Sequence, residues 1–328
     1  MMRDYTDSLF DIPMTLQSPK NAVLLLLFVS FVWGAEFALV DMAIEVIPTH
    51  AFNGLRFLLA GLCLLPLLKF EKPENRNYGT TRLFTTGMLL GLLLFIGFAT
   101  QTEGLHYTSV SNAGFITGLN VPFVPLLGFL IFRSKVAASA WAGVVAATAG
   151  LYFLTIGDKL TLNQGDLLVL ICAFAFAAHI VMTGHFAGNL PAIRLSVIQM
   201  FAVAAYSAAA SFSMETNNEF YQDPIALILD PIVLSAILTA AILGSALAYW
   251  AQTASQKILA PHQVALIFAT EPLFAHATAA IFLGESLGMQ GWLGAALIVT
   301  GMLISELGDR KHPAQMQAID HSAAPRDY

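Results

Sequence analysis

Residues 21–41 read NAVLLLLFVSFVWGAEFALVD. From Ala22 to Val40 a single residue, Glu36, carries a formal charge. A helix rises about 1.5 Å per residue, so a run of this length crosses the roughly 30 Å hydrocarbon layer of a bilayer. The strands of a membrane barrel would alternate apolar and polar residues, and this run does not. The stretch reads as a membrane-spanning helix with a carboxylate inside it, and the rest of the chain follows suit. Of 328 residues, 57% are hydrophobic and 11% charged, with a mean hydropathy of +0.71. A soluble domain carries about 25% charged residues. The class is therefore an all-α integral membrane protein. The net charge of −6 constrains little, because most charges fall in loops and tails. Cys63 and Cys172 lie within apolar runs and read as small buried residues rather than a disulfide.

Ten candidate spans can be drawn, at roughly 21–41, 50–70, 83–102, 109–132, 137–156, 166–186, 193–212, 231–254, 261–283 and 288–308. Loop punctuation such as IPTH, EKPENRN, NLPA and LAPH separates them. With the N-terminus on the cytoplasmic side, 13 of the 15 Lys and Arg residues fall on the inner face. Lys159 alone falls outside, and Arg56 lies within a span. This bias sets both termini in the cytoplasm of a plasma or inner membrane. The N-terminal stretch lacks the charged start, short apolar core and cleavage site of a signal peptide. Residues 1–20 and 309–328 read as polar tails.

The chain repeats itself. Pro48 and Arg56 match Pro191 and Gln199 at an offset of 143, shared by Trp33 and Phe176. Further on, Gln101-Thr102 recurs as Gln252-Thr253, Pro122 as Pro272, and WAGVVAATAG from Trp141 as WLGAALIVTG from Trp292, at offsets of 150–151. This gives a first five-helix repeat over 21–156 and a second over 165–308. Five is odd, so the second copy is inverted in the membrane relative to the first. Inverted repeats that meet near the midplane can rock about a shared site, which is the architecture of secondary transporters.

The residues WGAEFAL from Trp33, the Pro-x7-Arg-Phe run from Pro48 to Phe57, and NAGFITGLNVPFVPLLG from Asn112 resemble the ten-helix, EamA-type branch of the drug/metabolite transporter superfamily. In the second half, ALIFATEPLFAHATAAIFLGESL from Ala265 and GWLGAALIVTG from Gly291 carry the same resemblance. The first half departs from it, with FRSKV where an acidic residue after glycine is common, so Glu285 has no symmetric partner. The resemblance covers about 21–308 and implies efflux of small metabolites or drugs, without naming the cargo.

Polar residues inside the spans are the candidate site. A charge at the centre of a spanning helix costs about 2.5–3.5 kcal/mol on insertion scales, so Glu36 needs a partner or a proton. The first two spans turn near Glu45, nine residues after Glu36 and eleven before Arg56. On antiparallel helices the two reach similar depth and are expected to pair, either as a fixed strut or as a switch opened by substrate or proton. Glu271 with Pro272, and Asn120 with Pro122, mark two helices broken at matching depth, the expected walls of a central cavity. Gln101, Gln199 and Gln252 add neutral hydrogen-bonding groups, and His179 a group that titrates near neutral pH. Trp33 and Trp250, with Phe37, Phe95, Phe98, Tyr107 and Phe274, are candidates for stacking on a solute. His276 in the ninth span, like His179, can equally be a packing residue.

The expected activity is a secondary transporter exporting small, amino-acid-like metabolites or drugs by alternating access, with protons as a possible second cargo. An importer or facilitator on the same fold is the alternative. An intramembrane enzyme or a sensor is disfavoured: there is no H-E-x-x-H, no G-x-S-x-G and no P-loop, and no metal, cofactor or nucleic-acid partner is expected. With Arg56 as the sole basic residue expected to be buried, phosphorylated solutes are disfavoured too.

Overall fold

The computed structural model describes residues 18–71, 79–108, 110–155, 163–275 and 288–309. Among these, every regular element is helical. In chain order they are α1 (Pro19–Ile44), α2 (Thr49–Leu64, tightening into a 3-10 turn over Leu65–Lys69), α3 (Thr80–Leu105), α4 (Val110–Gly118), α5 (Asn120–Phe132) and α6 (Ala138–Thr155). There follow α7 (Gln164–Phe186), α8 (Ala192–Met214), the short α9 (Pro224–Ile228), α10 (Pro231–Ala241), a π-helical turn over Ile242–Leu247, α11 (Ala248–Ser255) and α12 (Pro261–Phe268). A helical stretch is described over 271–275, and α13 spans Met289–Asp309.

Among the described residues, seven helical runs are long and apolar enough to cross a bilayer: Pro19–Ile44, Thr49–Lys69, Thr80–Leu105, Ala113–Phe132, Gln164–Asn189, Ala192–Met214 and Pro231–Ser255. Ala138–Phe153 and Met289–Ser305 are shorter apolar helices. Seven of the ten expected spans thus coincide with full-length runs, and the fifth and tenth with the shorter helices. The expected ninth, 261–283, passes outside the described residues after 275, as do His276 and Glu285.

Helix starts follow from local chemistry. Pro19, Pro231 and Pro261 sit in first turns, where a missing backbone N–H costs nothing. Asn163 and Asp166 form a reciprocal capping box at the head of α7. Asp230 accepts from the backbone N–H of Ile232 and Val233 at the head of α10.

The side chains are sorted for lipid. Phe212 and Leu24 are 68% and 65% exposed on the outer surface, whereas Ser30, Thr183, Ser196, Gln199, Ser245 and Gln252 are buried inside. A water-soluble protein of this size would not leave so much large apolar surface uncovered. Polar groups turned inward can instead hydrogen-bond between helices, which lipid cannot replace.

Small residues bring helices into close contact. In α2, Gly54 faces Ser207 and Ala208 of α8, and Gly61 faces Phe201, so the two helices run antiparallel. In α6, Gly143 faces Gly301 of α13 and Gly150 faces Gly294, again antiparallel. Likewise α3 packs on α7, with Gly97 against Phe176 and Gly104 against Val169, while α1 packs on α10 and α11.

The α2–α8 pair is fastened at both ends by one device used twice. Glu215, just past the end of α8, accepts from the backbone N–H of His50 (2.8 Å) and Ala51 (3.1 Å) in the first turn of α2. Glu71, just past α2, accepts from the N–H of Ile193 (2.9 Å) in the first turn of α8 and pairs with Arg194. Each carboxylate answers the exposed donors and positive end of the other helix.

Candidate functional site

A cavity lies where α1, α2, α3, α4, α5, α7, α11 and α12 converge. Its wall includes Glu36, Arg56, Gln101, Asn120, His179, Gln252, Glu271 and Trp33, brought together from seven separate segments. The other expected residues lie elsewhere. Gln199 is behind the wall and reaches it through His179. Trp250 packs among apolar side chains away from the cavity. Pro122 and Pro272 lie in the first turns of the second halves of broken helices, and the cavity is lined there by Asn120 and Glu271.

Glu36 and Arg56 form the charged heart of this wall. The Arg56 Nη2 donates to Glu36 Oε1 at 2.9 Å, and the two residues are 3% and 6% exposed. Burial this deep is tolerable for charges only when they are paired and hydrogen-bonded. Arg56 Nε donates to Ser245 Oγ (2.7 Å) and Nη2 also to the Gly244 carbonyl (3.2 Å), which Trp33 Nε1 reaches as well (2.8 Å). The guanidinium carbon lies 4.7 Å from the centre of the Phe98 ring, a cation–π distance.

The π-helical turn explains why Gly244 and Ser245 are available. Widening the helix loosens its i to i+4 bonding and turns a carbonyl outward. The Glu36 carboxylate fills the space where a Cβ on residue 244 would stand, so any side chain there would push the carboxylate from its place beside Arg56. Sequence reasoning found the ion pair but missed this half of its support. The signal was present in ILGSAL, a Gly-Ser step inside an apolar span.

Two further breaks shape the wall. Helix α4 ends at Gly118 and α5 starts at Asn120; α12 ends at Phe268 and helix resumes at 271. Asn120 and Glu271 each stand at the head of a resumed half-helix. Among the described residues, the buried Asn120 Oδ1 has no hydrogen-bond partner. For the Glu271 carboxylate, no hydrogen bond or ion pair occurs among the described residues.

A neutral network backs the opposite wall. Gln252 Nε2, which can only donate, lies 3.3 Å from His179 Nδ1, so that nitrogen accepts. His179 Nε2 then carries the proton and donates to Gln199 Oε1 at 2.8 Å. Gln252 also donates to Gln256 Oε1, and Gln256 to the Ile180 carbonyl. The arrangement uses His179 as a neutral link among α7, α8 and α11. Gln101 donates to Thr117 (3.1 Å) from α3 to α4. Of the expected aromatic residues, Phe37 and Phe98 line the cavity. Phe95 packs against Tyr206, Phe274 edges onto Phe31, and Tyr107 is exposed. Phe176, Tyr249 and Phe268 line it without having been expected there.

Apolar helices arranged round a charged cavity define a multi-pass membrane protein built to hold a solute. The chain belongs to the EamA-like transporter family, whose model matches residues 20–156 and again 163–307. It is therefore a membrane transporter of that family. It is 31% identical over 282 residues to a protein of Archaeoglobus fulgidus described as an uncharacterized transporter, covering 86% of this chain and 84% of that one. It is 24% identical over 292 residues to the inner membrane transporter YedA of Escherichia coli K12, covering 87% and 90%. A probable amino-acid metabolite efflux pump of Salmonella typhimurium is 25% identical over 302 residues, covering 89% and 97%. A solved crystal structure superimposes with a TM-score of 0.70 at 18% identity, covering 90% of this chain and 99% of that chain, which speaks to the fold alone.

Proposed function

We propose that the chain is a secondary exporter of small, amino-acid-like metabolites or drugs, working by alternating access between two inverted five-helix repeats, 21–156 and 165–308. The observation that carries the reading is the cavity holding Glu36, Arg56 and Glu271 between helices of both halves. The inverted arrangement is supported by the packing. The second helices of the two halves, α2 and α8, lie antiparallel, as do the fifth, α6 and α13. Exchanging the halves turns the α3–α7 contact into that of α10 and α11 with α1, and turns Gly143–Gly301 into Gly294–Gly150. The reciprocal caps of Glu71 and Glu215 obey the same exchange. Orientation with both termini cytoplasmic rests on the distribution of Lys and Arg.

In this reading the solute occupies the cavity, and the halves rock so that it opens to one face and then the other. Glu36, Glu271 and His179 supply groups through which a returning proton could drive efflux. No catalytic chemistry is assigned to them. Export is favoured over import by the name of the Salmonella relative.

The test is a resistance and export profile of cells with and without the chain, followed by flux into proteoliposomes. Expression is expected to raise tolerance to a limited class of small nitrogenous or amphipathic compounds, and an opposing pH gradient to accelerate their flux. Identical profiles in both strains would remove the exporter reading, and flux indifferent to the gradient would remove the proton.

A further inference from the structure

The charge balance of the cavity is incomplete. Among the described residues of its wall there is one formal cation, Arg56, against two carboxylates, Glu36 and Glu271. Most of Arg56 is engaged: its Nη2 bonds Glu36 and the Gly244 carbonyl, its Nε bonds Ser245, and its face lies against Phe98. His179 cannot stand in for a second cation while its Nδ1 accepts from Gln252. Among the described residues, Glu271 is thus left without a counter-charge.

The unpartnered buried atoms of the wall point the same way. Glu36 Oε2 and Asn120 Oδ1 are both acceptors, both buried, and neither has a hydrogen-bond partner among the described residues. An unpaired buried acceptor costs about 1–3 kcal/mol, and more when charged, so such groups await a donor. Beside them stand the aromatic rings of Trp33, Phe37, Phe98 and Phe268. Ring faces attract a desolvated cation and cover an apolar body.

We propose that the cavity binds its solute through a positively charged nitrogen, an ammonium group held by Glu271 and Asn120, with the apolar or aromatic body of the solute against Trp33, Phe37 and Phe98. A substrate presenting only a carboxylate or phosphate would meet two carboxylates and a guanidinium already neutralised. A neutral alcohol would leave Glu271 uncompensated. The ligand class is therefore organic ammonium compounds, including amino-acid derivatives that retain the amino group. The proposal rests on the carrier reading for movement of the ligand, but not for its binding.

The experiment measures binding to purified full-length protein in detergent by calorimetry, with three probes that share a phenyl ring and differ at the head: 2-phenylethylammonium, 2-phenylethanol and 3-phenylpropionate. The ammonium is expected to bind, with the other two about tenfold or more weaker, the weight of one charge-assisted hydrogen bond. Glu271→Gln is expected to weaken the ammonium about tenfold or more, and Asn120→Leu by a smaller factor. Thermal midpoints and monodispersity establish that each variant is folded, and a misfolded Glu271→Gln leaves the Asn120→Leu comparison to decide. Equal or tighter binding of the alcohol or the carboxylate, an ammonium affinity unchanged in the folded variants, or no binding of the ammonium to folded protein overturns the proposal. Selective ammonium binding without flux in proteoliposomes would remove the carrier reading and leave the site.

Discussion

Arg56→Gln is expected to destabilise the protein by roughly 3–5 kcal/mol and to abolish transport. The reason is what it leaves behind. Glu36 is 6% exposed, its Oε2 has no partner, and Oε1 loses the guanidinium. The Ser245 hydroxyl loses its donor at the same time, and the Gly244 carbonyl keeps only Trp33 Nε1. Removing both charges together behaves differently, because a buried ion pair and an apolar pair of similar volume are often close in energy. The double variant Glu36→Gln/Arg56→Met is therefore expected to recover most of the lost stability. It is expected not to recover flux, since the cavity then lacks its polar wall. Thermal midpoints in detergent and proteoliposome flux read the two quantities separately. A double variant that transports at the native rate would make the pair a strut and nothing more.

Gly150→Val is expected to be the most damaging change away from the cavity. A Cβ at Gly150 would stand 2.7 Å from the Gly294 carbonyl and 2.8 Å from the Ile298 backbone nitrogen. Backbone cannot yield as a flexible side chain can, so α6 and α13 would have to part. Over-packing of this kind costs about 1–3 kcal/mol, and a branched side chain lies at the upper end. Gly114→Ala is the contrast: among the described residues nothing lies within 4 Å of where its Cβ would stand, and an alanine in a helix is favoured over glycine by up to about 1 kcal/mol. The melting temperature is expected to fall sharply for the first and to hold or rise for the second. Equal effects would mean that the α6–α13 contact is looser than described.

Much of the site was legible because charge in an apolar span is rarely idle. Counting residues from the hairpin between α1 and α2 was enough to pair Glu36 with Arg56, since rise per residue is constant and antiparallel neighbours share depth. The prolines at 122 and 272 marked the broken helices for the same local reason: a missing N–H belongs in a first turn. What they could not give is which side chain the break presents inward, and that was Asn120 and Glu271 rather than the prolines. Gln199 and Trp250 show the limit of composition alone. Both are polar-capable residues in spans, yet Gln199 supports His179 from behind and Trp250 faces apolar neighbours. Their rotation about the helix axis depends on packing that helices apolar all round do not encode. The caps formed by Glu71 and Glu215 were hidden differently. Each reads as an ordinary loop acid, and only its place one residue beyond the offset relating Pro48 to Pro191 betrayed a common role.

The two-sided opening of the cavity is the centre of this account, and it can be read from a single cysteine. Gln101→Cys, in a chain with Cys63 and Cys172 replaced by serine, places a thiol on the cavity wall. A membrane-impermeant maleimide is applied to right-side-out vesicles and, separately, to inside-out vesicles. Alternating access requires the thiol to be labelled in both preparations. Labelling from one face under every condition, or from neither, would contradict it.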